Sequence, residues 1–249
     1  MATEIWVIFL RQMRLLLRNP VWVFFGLTQP ILYLALFGPL LKNVSGGGLG
    51  GSASWSIFVP GLLLQLVIFG AGFAGFGIIQ ELREGVVDRQ RVTPALRASL
   101  LLGRTLSNVV TLCVQALLLV LVATAFGLRP SWGGVLLSVV LVCVLALGLS
   151  AASYSMGLIL KDEDSFAPMI QGVSLPLLLL SGVLLPMSLA PRWLQRISDV
   201  NPLSYLIDGV RHLFVNKYDQ VVGVGVLVTV GVTALLALWG TRVFQKTSA

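Results

Sequence analysis

Apolar residues in this chain neither alternate with polar ones nor form narrow helical stripes; most collect into long blocks free of charge. Six windows contain no Asp, Glu, Lys or Arg: Val21–Leu41, Trp55–Gln80, Thr105–Gly127, Trp132–Leu160, Ser165–Leu185 and Val221–Thr241. About 20 apolar residues make a helix long enough for a ~30 Å hydrocarbon layer, and a helix satisfies its own backbone hydrogen bonds there. A transmembrane barrel would show alternating segments of about ten residues, and runs such as Leu117–Val122 and Leu177–Leu180 do not alternate. The pattern predicts an all-α membrane protein with six transmembrane helices, in a single domain spanning residues 1–249.

Composition agrees. Of the 249 residues, 57% are hydrophobic and 11% charged, with a mean hydropathy of +0.94, whereas a soluble domain carries about 25% charged residues. Two Cys exclude a disulfide scaffold, and a single His leaves little room for His-based metal or catalytic chemistry. The net charge of +7 would suggest nucleic acid for a soluble chain; between membrane spans it reports basic loops, and no nucleic-acid partner is expected. With both termini cytoplasmic, eleven Lys and Arg fall inside and six outside, the sense of the positive-inside bias. The basic residues from Arg192 to Lys217 run against it. No basic segment followed by a small-residue cleavage site opens the chain, so no cleavable signal peptide is expected.

Residues 4–18 carry too much charge to cross. At 100° per residue, Glu4, Arg11, Arg14 and Arg18 share one arc, and Trp6, Phe9, Met13, Leu16 and Leu17 lie opposite. This predicts an interfacial amphipathic helix in contact with membrane lipids, separated from the first span by Asn19-Pro20; a snorkelling extension of that span is the alternative. The glycine-rich stretch Gly46–Ser52 lacks the Gly-Lys-Ser/Thr ending of a phosphate loop and reads as a connector. Nothing else supplies a nucleotide, cofactor or metal site, so the chain is not expected to be an enzyme.

In the second span, Gly70, Ala71, Ala74 and Gly75 allow close helix approach, and Phe69, Phe73 and Phe76 lie among them with Gln65 a turn above. This is either ordinary packing or one wall of a path for an amphipathic substrate. Gln65 favours the path, because a polar group at membrane depth usually faces protein. Gln171 in the fifth span, beside Pro168 and Pro176, is a second polar candidate. Prolines break helices, and broken membrane helices are tolerated where they are buried or line a cavity; plain packing kinks explain them equally well. Cys113 and Cys143 read as packing residues.

Segment 81–104 holds eight charges of both signs with Val86, Val87, Val92 and Leu96 among them. A solvated loop would be shorter; this one has room for a short helix before Thr93-Pro94 that inserts into a groove on another protein. In the acidic turn Lys161–Asp164, the expected role is helix capping by Asp164 or Ser165. Residues 187–212 form a long outside connection. There Trp193, Leu194, Ile197, Leu203, Leu206, Ile207 and Val210 have helical spacing, predicting two short helices that bury them against the membrane, with Asp208 and Arg211 paired three apart.

These segments together resemble the membrane subunit of type-2 ABC exporters, the daunorubicin-resistance-like drug permeases. The carriers are Arg14–Pro20 with Gln29-Pro30, Glu81–Pro94 followed by Leu101–Arg104, and Leu185-Pro186 through Trp193-Leu194 and Asn201–Tyr205 to Arg211. Asp88 departs from the Glu expected in such a loop but keeps its charge. The resemblance implies two six-helix permeases, identical or homologous, forming the path, with two separate ATPase subunits that bind ATP and Mg. It makes 81–104 a cytoplasmic coupling helix region, with Glu81, Arg83, Glu84, Gly85, Asp88, Arg89, Arg91, Thr93 and Pro94 as coupling residues. It makes 187–212 a pair of re-entrant helices at an extracellular gate, with Trp193, Asn201, Pro202, Tyr205, Asp208 and Arg211 as gate residues. The expected activity is export of a hydrophobic or amphipathic substrate (drug, antibiotic or lipid-like) across a bacterial plasma membrane. Export of a lipid-linked glycan or polysaccharide is the alternative, and an ion-coupled secondary transporter a more distant one.

Overall fold

The computed structural model describes residues 2–18, 21–44, 51–85, 97–183 and 190–247. They are helical, with no strand among the described residues: α1 (Ala2–Arg18), α2 (Val21–Val44), α3 (Gly51–Gly72), α4 (Gly75–Arg83), α5 (Arg97–Ala125), α6 (Trp132–Leu160), α7 (Glu163–Leu180), α8 (Arg192–Ser198), α9 (Pro202–Phe214) and α10 (Gln220–Thr247). Four stretches are long and apolar enough to cross a membrane: Trp55–Arg83, Ser99–Ala125, Trp132–Leu160 and Gln220–Phe244. The first and fifth predicted spans are also helices, but α2 offers only the shorter apolar stretch Phe24–Phe37, and the 18-residue α7 opens on Glu163 and Asp164 and holds Pro168 and Pro176.

The core lies where α3 and α6 meet their neighbours. Leu62, Leu63, Val67, Ala116, Leu119, Leu145, Ala146 and Leu213 are fully buried. The outer face of α10 is the opposite, with Leu227 73% and Leu235 70% exposed, as suits a surface whose solvent is lipid.

Two ends of the bundle are tied by polar contacts, and the helices between them alternate. At one end Arg83, closing α4, reaches Asp162 at 3.6 Å and Glu163 at 3.2 Å, where α6 gives way to α7. At the other, Arg211 of α9 reaches the carbonyls of Ile57 in α3 and Gly182 just past α7. Thus α3–α4 runs one way and α7 runs back.

Several expectations are corrected. The second span is not one helix. It breaks at Phe73-Ala74, where glycines at 70, 72 and 75 weaken the helix. There Ser153 of α6 donates its hydroxyl to the Gly72 carbonyl and accepts from the Gly75 amide at 2.9 Å, replacing bonds the broken helix cannot make. The cap of α7 is Asp162, not Asp164 or Ser165: its carboxylate accepts from the Ser165 amide at 3.0 Å and hydroxyl at 2.9 Å. α5 begins at Arg97, two turns before the uncharged window, so Arg104 is a helix residue rather than a loop residue. In the outer connection, Leu203, Leu206, Ile207 and Val210 are buried, though in the protein core rather than against the membrane, and Trp193 and Ile197 of α8 are exposed within this chain.

The N-terminal helix is amphipathic, and its apolar side is divided. Ile5 and Ile8 press on Gly103 of α5, where a Cβ would sit 2.8 Å from Ile8. Trp6 and Leu17 remain exposed.

Candidate functional site

Of the nine coupling residues named from sequence, Glu81, Arg83, Glu84 and Gly85 are described; Asp88, Arg89, Arg91, Thr93 and Pro94 lie outside the described residues. α4 ends as helices often do. The amides of Glu84 and Gly85 bond back to Gln80 and Leu82, and Gly85 takes φ +68°, a left-handed conformation that costs residues with a side chain about 1–2 kcal/mol. This is the physical reason for a glycine where the charged segment leaves α4.

Glu81 is the centre of this end. Its carboxylate accepts from the Arg104 guanidinium of α5 and, at 3.2 Å, from the Gln12 amide of α1. The Arg104 side chain is only 4% exposed and that of Glu81 17%. Tyr154 of α6 lies close enough to interact with both charges. One carboxylate therefore joins the N-terminal helix, the second span and the third. Sequence reading placed Arg104 among loop charges and gave Gln12 no role. The available signal was the pair of charges bounding adjacent spans, Glu81 after the second and Arg104 before the third, which the fold brings together. Arg83, by contrast, makes the exposed bridge to Asp162 and Glu163 described above.

The five residues named for a substrate path do not share one surface. Gln65 is buried in the core of this chain. Phe69, Phe73 and Phe76 form a half-buried ladder with ring centroids 5.9 and 5.7 Å apart. It continues edge-on to Phe166 of α7 at 5.0 Å. Phe166 was missed from sequence because it sits two residues past the acidic turn. Gln171 is exposed on α7.

The outer residues form a clasp. Asn201 caps α9 by accepting from the Leu203 amide at 3.1 Å, with Pro202 at the first helical position, and donates to the Leu177 carbonyl at 3.0 Å. The hydroxyls of Ser198 and Ser204 donate to the Leu180 carbonyl at 2.8 and 3.3 Å. Arg211 donates to Gly182 at 2.6 Å and Ile57 at 3.3 Å, and pairs with Asp208 at 3.3 Å as expected. Burial lowers the pKa of Arg211 from its ordinary value, with Asp208 opposing. The end of a helix leaves carbonyls without partners, and here α8 and α9 supply donors to those of α7. Ser198 and Ser204 were missed from sequence; their signal is the three-residue spacing Ser198, Asn201, Ser204. Tyr205 donates to the Asp199 carbonyl at 2.8 Å, while Trp193 and Asp208 face outward.

Across residues 3–215 the chain matches the ABC-2 type transporter family. The chain belongs to that family. A daunorubicin resistance ABC transporter permease protein, DrrB1 of Streptomyces coeruleorubidus, is 24% identical over 99% of this chain and 86% of its own. The inner membrane transport permease YadH of Escherichia coli K12 is 28% identical over 88% of this chain and 87% of its own. A protein described as a transport permease, ycf38 of Porphyra purpurea, is 27% identical over 80% of this chain and 69% of its own. The permease is thus a multi-pass membrane transport protein of an ABC system.

Proposed function

We propose that this permease forms, with a second identical or homologous copy, the path of an ATP-driven exporter for a hydrophobic or amphipathic molecule, all ATP and Mg being bound by two separate ATPase subunits. The reading takes six crossings with both termini cytoplasmic, α2 and α7 included, the 81–104 segment as the docking element, and α8–α9 as re-entrant helices closing the outer side.

The observation that carries it is the cluster of Gln12, Glu81 and Arg104. A docked segment that follows Gly85 pulls on α4. Because Glu81 is held by α1 and α5, a displacement there moves a connected body of helices instead of fraying one helix end. The break at Phe73-Ala74 and the prolines of α7 are where that motion is absorbed, on the two elements that share the phenylalanine ladder. At the far end, α3 and α7 are joined through Arg211, so a relative movement of their outer ends must strain the clasp. Binding of ATP favours one arrangement, and the exported molecule is set by its differential affinity for the two.

Exposed polarity supports the second copy. Gln29 and Thr28 on α2, and Gln171 on α7, face outward within apolar helices, which is costly against lipid. α2 and α7 both pack on α3, so a partner on that side covers these amides and leaves the apolar face of α10 to lipid. Relatives named for daunorubicin resistance, with the aromatic ladder, favour an amphipathic cargo over a long sugar polymer.

The test is charge reversal, R89E/R91E, in the permease co-expressed with its ATPase. Uncoupled ATP hydrolysis with loss of export and normal membrane insertion is expected; unchanged export together with unchanged ATPase binding refutes the docking assignment.

A further inference from the structure

Arg11, Arg14 and Arg18 are all exposed, and none is ion-paired among the described residues. They are not scattered. With Val7, Leu10 and Leu15 they line an open groove along α1.

The orientation of that groove is fixed by the opposite side of the helix. Ile5 and Ile8 sit on Gly103, and Gln12 donates to Glu81, so the basic arc faces away from the protein. A third arc, bearing Trp6 and Leu17, is apolar and 57% and 78% exposed. One face therefore meets protein, one suits acyl chains, and one presents three planar guanidiniums.

Guanidinium forks match phosphate oxygens two at a time. A soluble anion has no use for the apolar side chains of Val7, Leu10 and Leu15, nor for the neighbouring Trp6 and Leu17. A phospholipid has use for both. We infer that α1 carries a binding site for one anionic phospholipid, its phosphate held by Arg11, Arg14 and Arg18 and the upper part of its acyl chains lying on the adjoining apolar residues. The site depends on no step of the export cycle.

Each basic side chain at an anionic lipid surface contributes about fivefold in affinity, and three contribute on the order of 100-fold. The experiment is native mass spectrometry of the delipidated full-length permease, titrated in parallel with dioleoyl phosphatidylglycerol and dioleoyl phosphatidylcholine. The expected result is retention of one phosphatidylglycerol at concentrations where phosphatidylcholine is lost. The preference should be absent in R11Q/R14Q/R18Q and intact in R129Q/R192Q/R196Q, which removes the same charge elsewhere. Equal retention of the two lipids by the unmodified protein overturns the inference, and this comparison needs no variant to fold. Preference that survives R11Q/R14Q/R18Q also overturns it. Displacement of the bound lipid by millimolar inorganic phosphate points to a site for soluble anions and equally overturns it; resistance to phosphate supports the lipid.

Discussion

Replacing Arg104 by Met leaves the Glu81 carboxylate with the Gln12 amide as a donor but no opposite charge. Removing one partner of a buried ion pair costs about 3–5 kcal/mol, because the remaining charge stays desolvated. Glu81 retains 17% exposure against 4% for Arg104, so R104M belongs near the bottom of that range, about 3 kcal/mol. E81Q removes the carboxylate that faces the more deeply buried guanidinium and belongs in the same range, about 3–4 kcal/mol by the same reasoning. Replacing both by apolar residues of similar size removes both charges and is expected to be near neutral, since buried pairs exchanged whole for hydrophobic residues often lose nothing. The double variant E81M/R104M should therefore fall short of the summed single losses by at least about 2 kcal/mol, the signature of directly coupled residues. The assay is reversible unfolding of the purified permease in mixed micelles, for the three variants and the parent. A loss below about 1 kcal/mol in R104M, or strict additivity in the double variant, refutes the claim that this pair joins α4 to α5.

Three further outcomes follow from the geometry. G85A places a side chain at φ +68° in open space, so it should cost about 1–2 kcal/mol through backbone strain alone, and G85N should recover part of that in the same unfolding assay. R211K keeps the charge but cannot span Ile57, Gly182 and Asp208 together; a loss of about 1.5–3 kcal/mol, with faster amide exchange at the end of α7, is expected, and unchanged exchange there contradicts the clasp. The Asp162 carboxyl is held below its ordinary value of 3.8, first by the Ser165 hydroxyl and amide and further by Arg83. A depressed carboxyl stabilises the fold above its ordinary pKa and loses that contribution as pH falls through the lowered one. The stability gap between the parent and D162N should thus be constant from pH 7 to 5 and close below about pH 4; a gap that widens on acidification contradicts it.

Most of the architecture was legible in the sequence because charge is excluded from lipid, and that exclusion leaves uncharged windows with sharp edges. The stripe of Arg11, Arg14 and Arg18 on α1 was legible for the same reason: a helix period of 3.6 sorts residues onto faces before any neighbour is known. What the windows hid is how far helices continue beyond lipid. α5 extends back to Arg97, because a charge can be buried at a helix end if another helix supplies its partner, and Glu81 does so for Arg104. The break at Phe73-Ala74 was illegible because its compensation lies on another helix: nothing near Gly72 predicts that Ser153, 81 residues later, donates to its carbonyl. Similarly, Gln65 looks like a path residue by polarity alone, and only packing shows it enclosed in the core. The cap on α7 shifted to Asp162 because Lys161 leaves α6 in a left-handed turn, φ 57°, which frees the residue after it to begin the next helix. Trp193 and Ile197 have the spacing of buried residues but find no cover within one chain, which a monomer's sequence pattern cannot distinguish from burial against lipid or a partner.

In the proposed mechanism this permease does no transport by itself and is driven through its charged end by a separate motor. Efflux of a fluorescent amphipathic probe from proteoliposomes decides this, comparing the permease alone under an imposed ion gradient with the permease plus its ATPase and Mg-ATP. Transport is expected only in the second case, abolished by R89E/R91E while ATP is still hydrolysed. Transport by the permease alone, driven by the ion gradient, would contradict it.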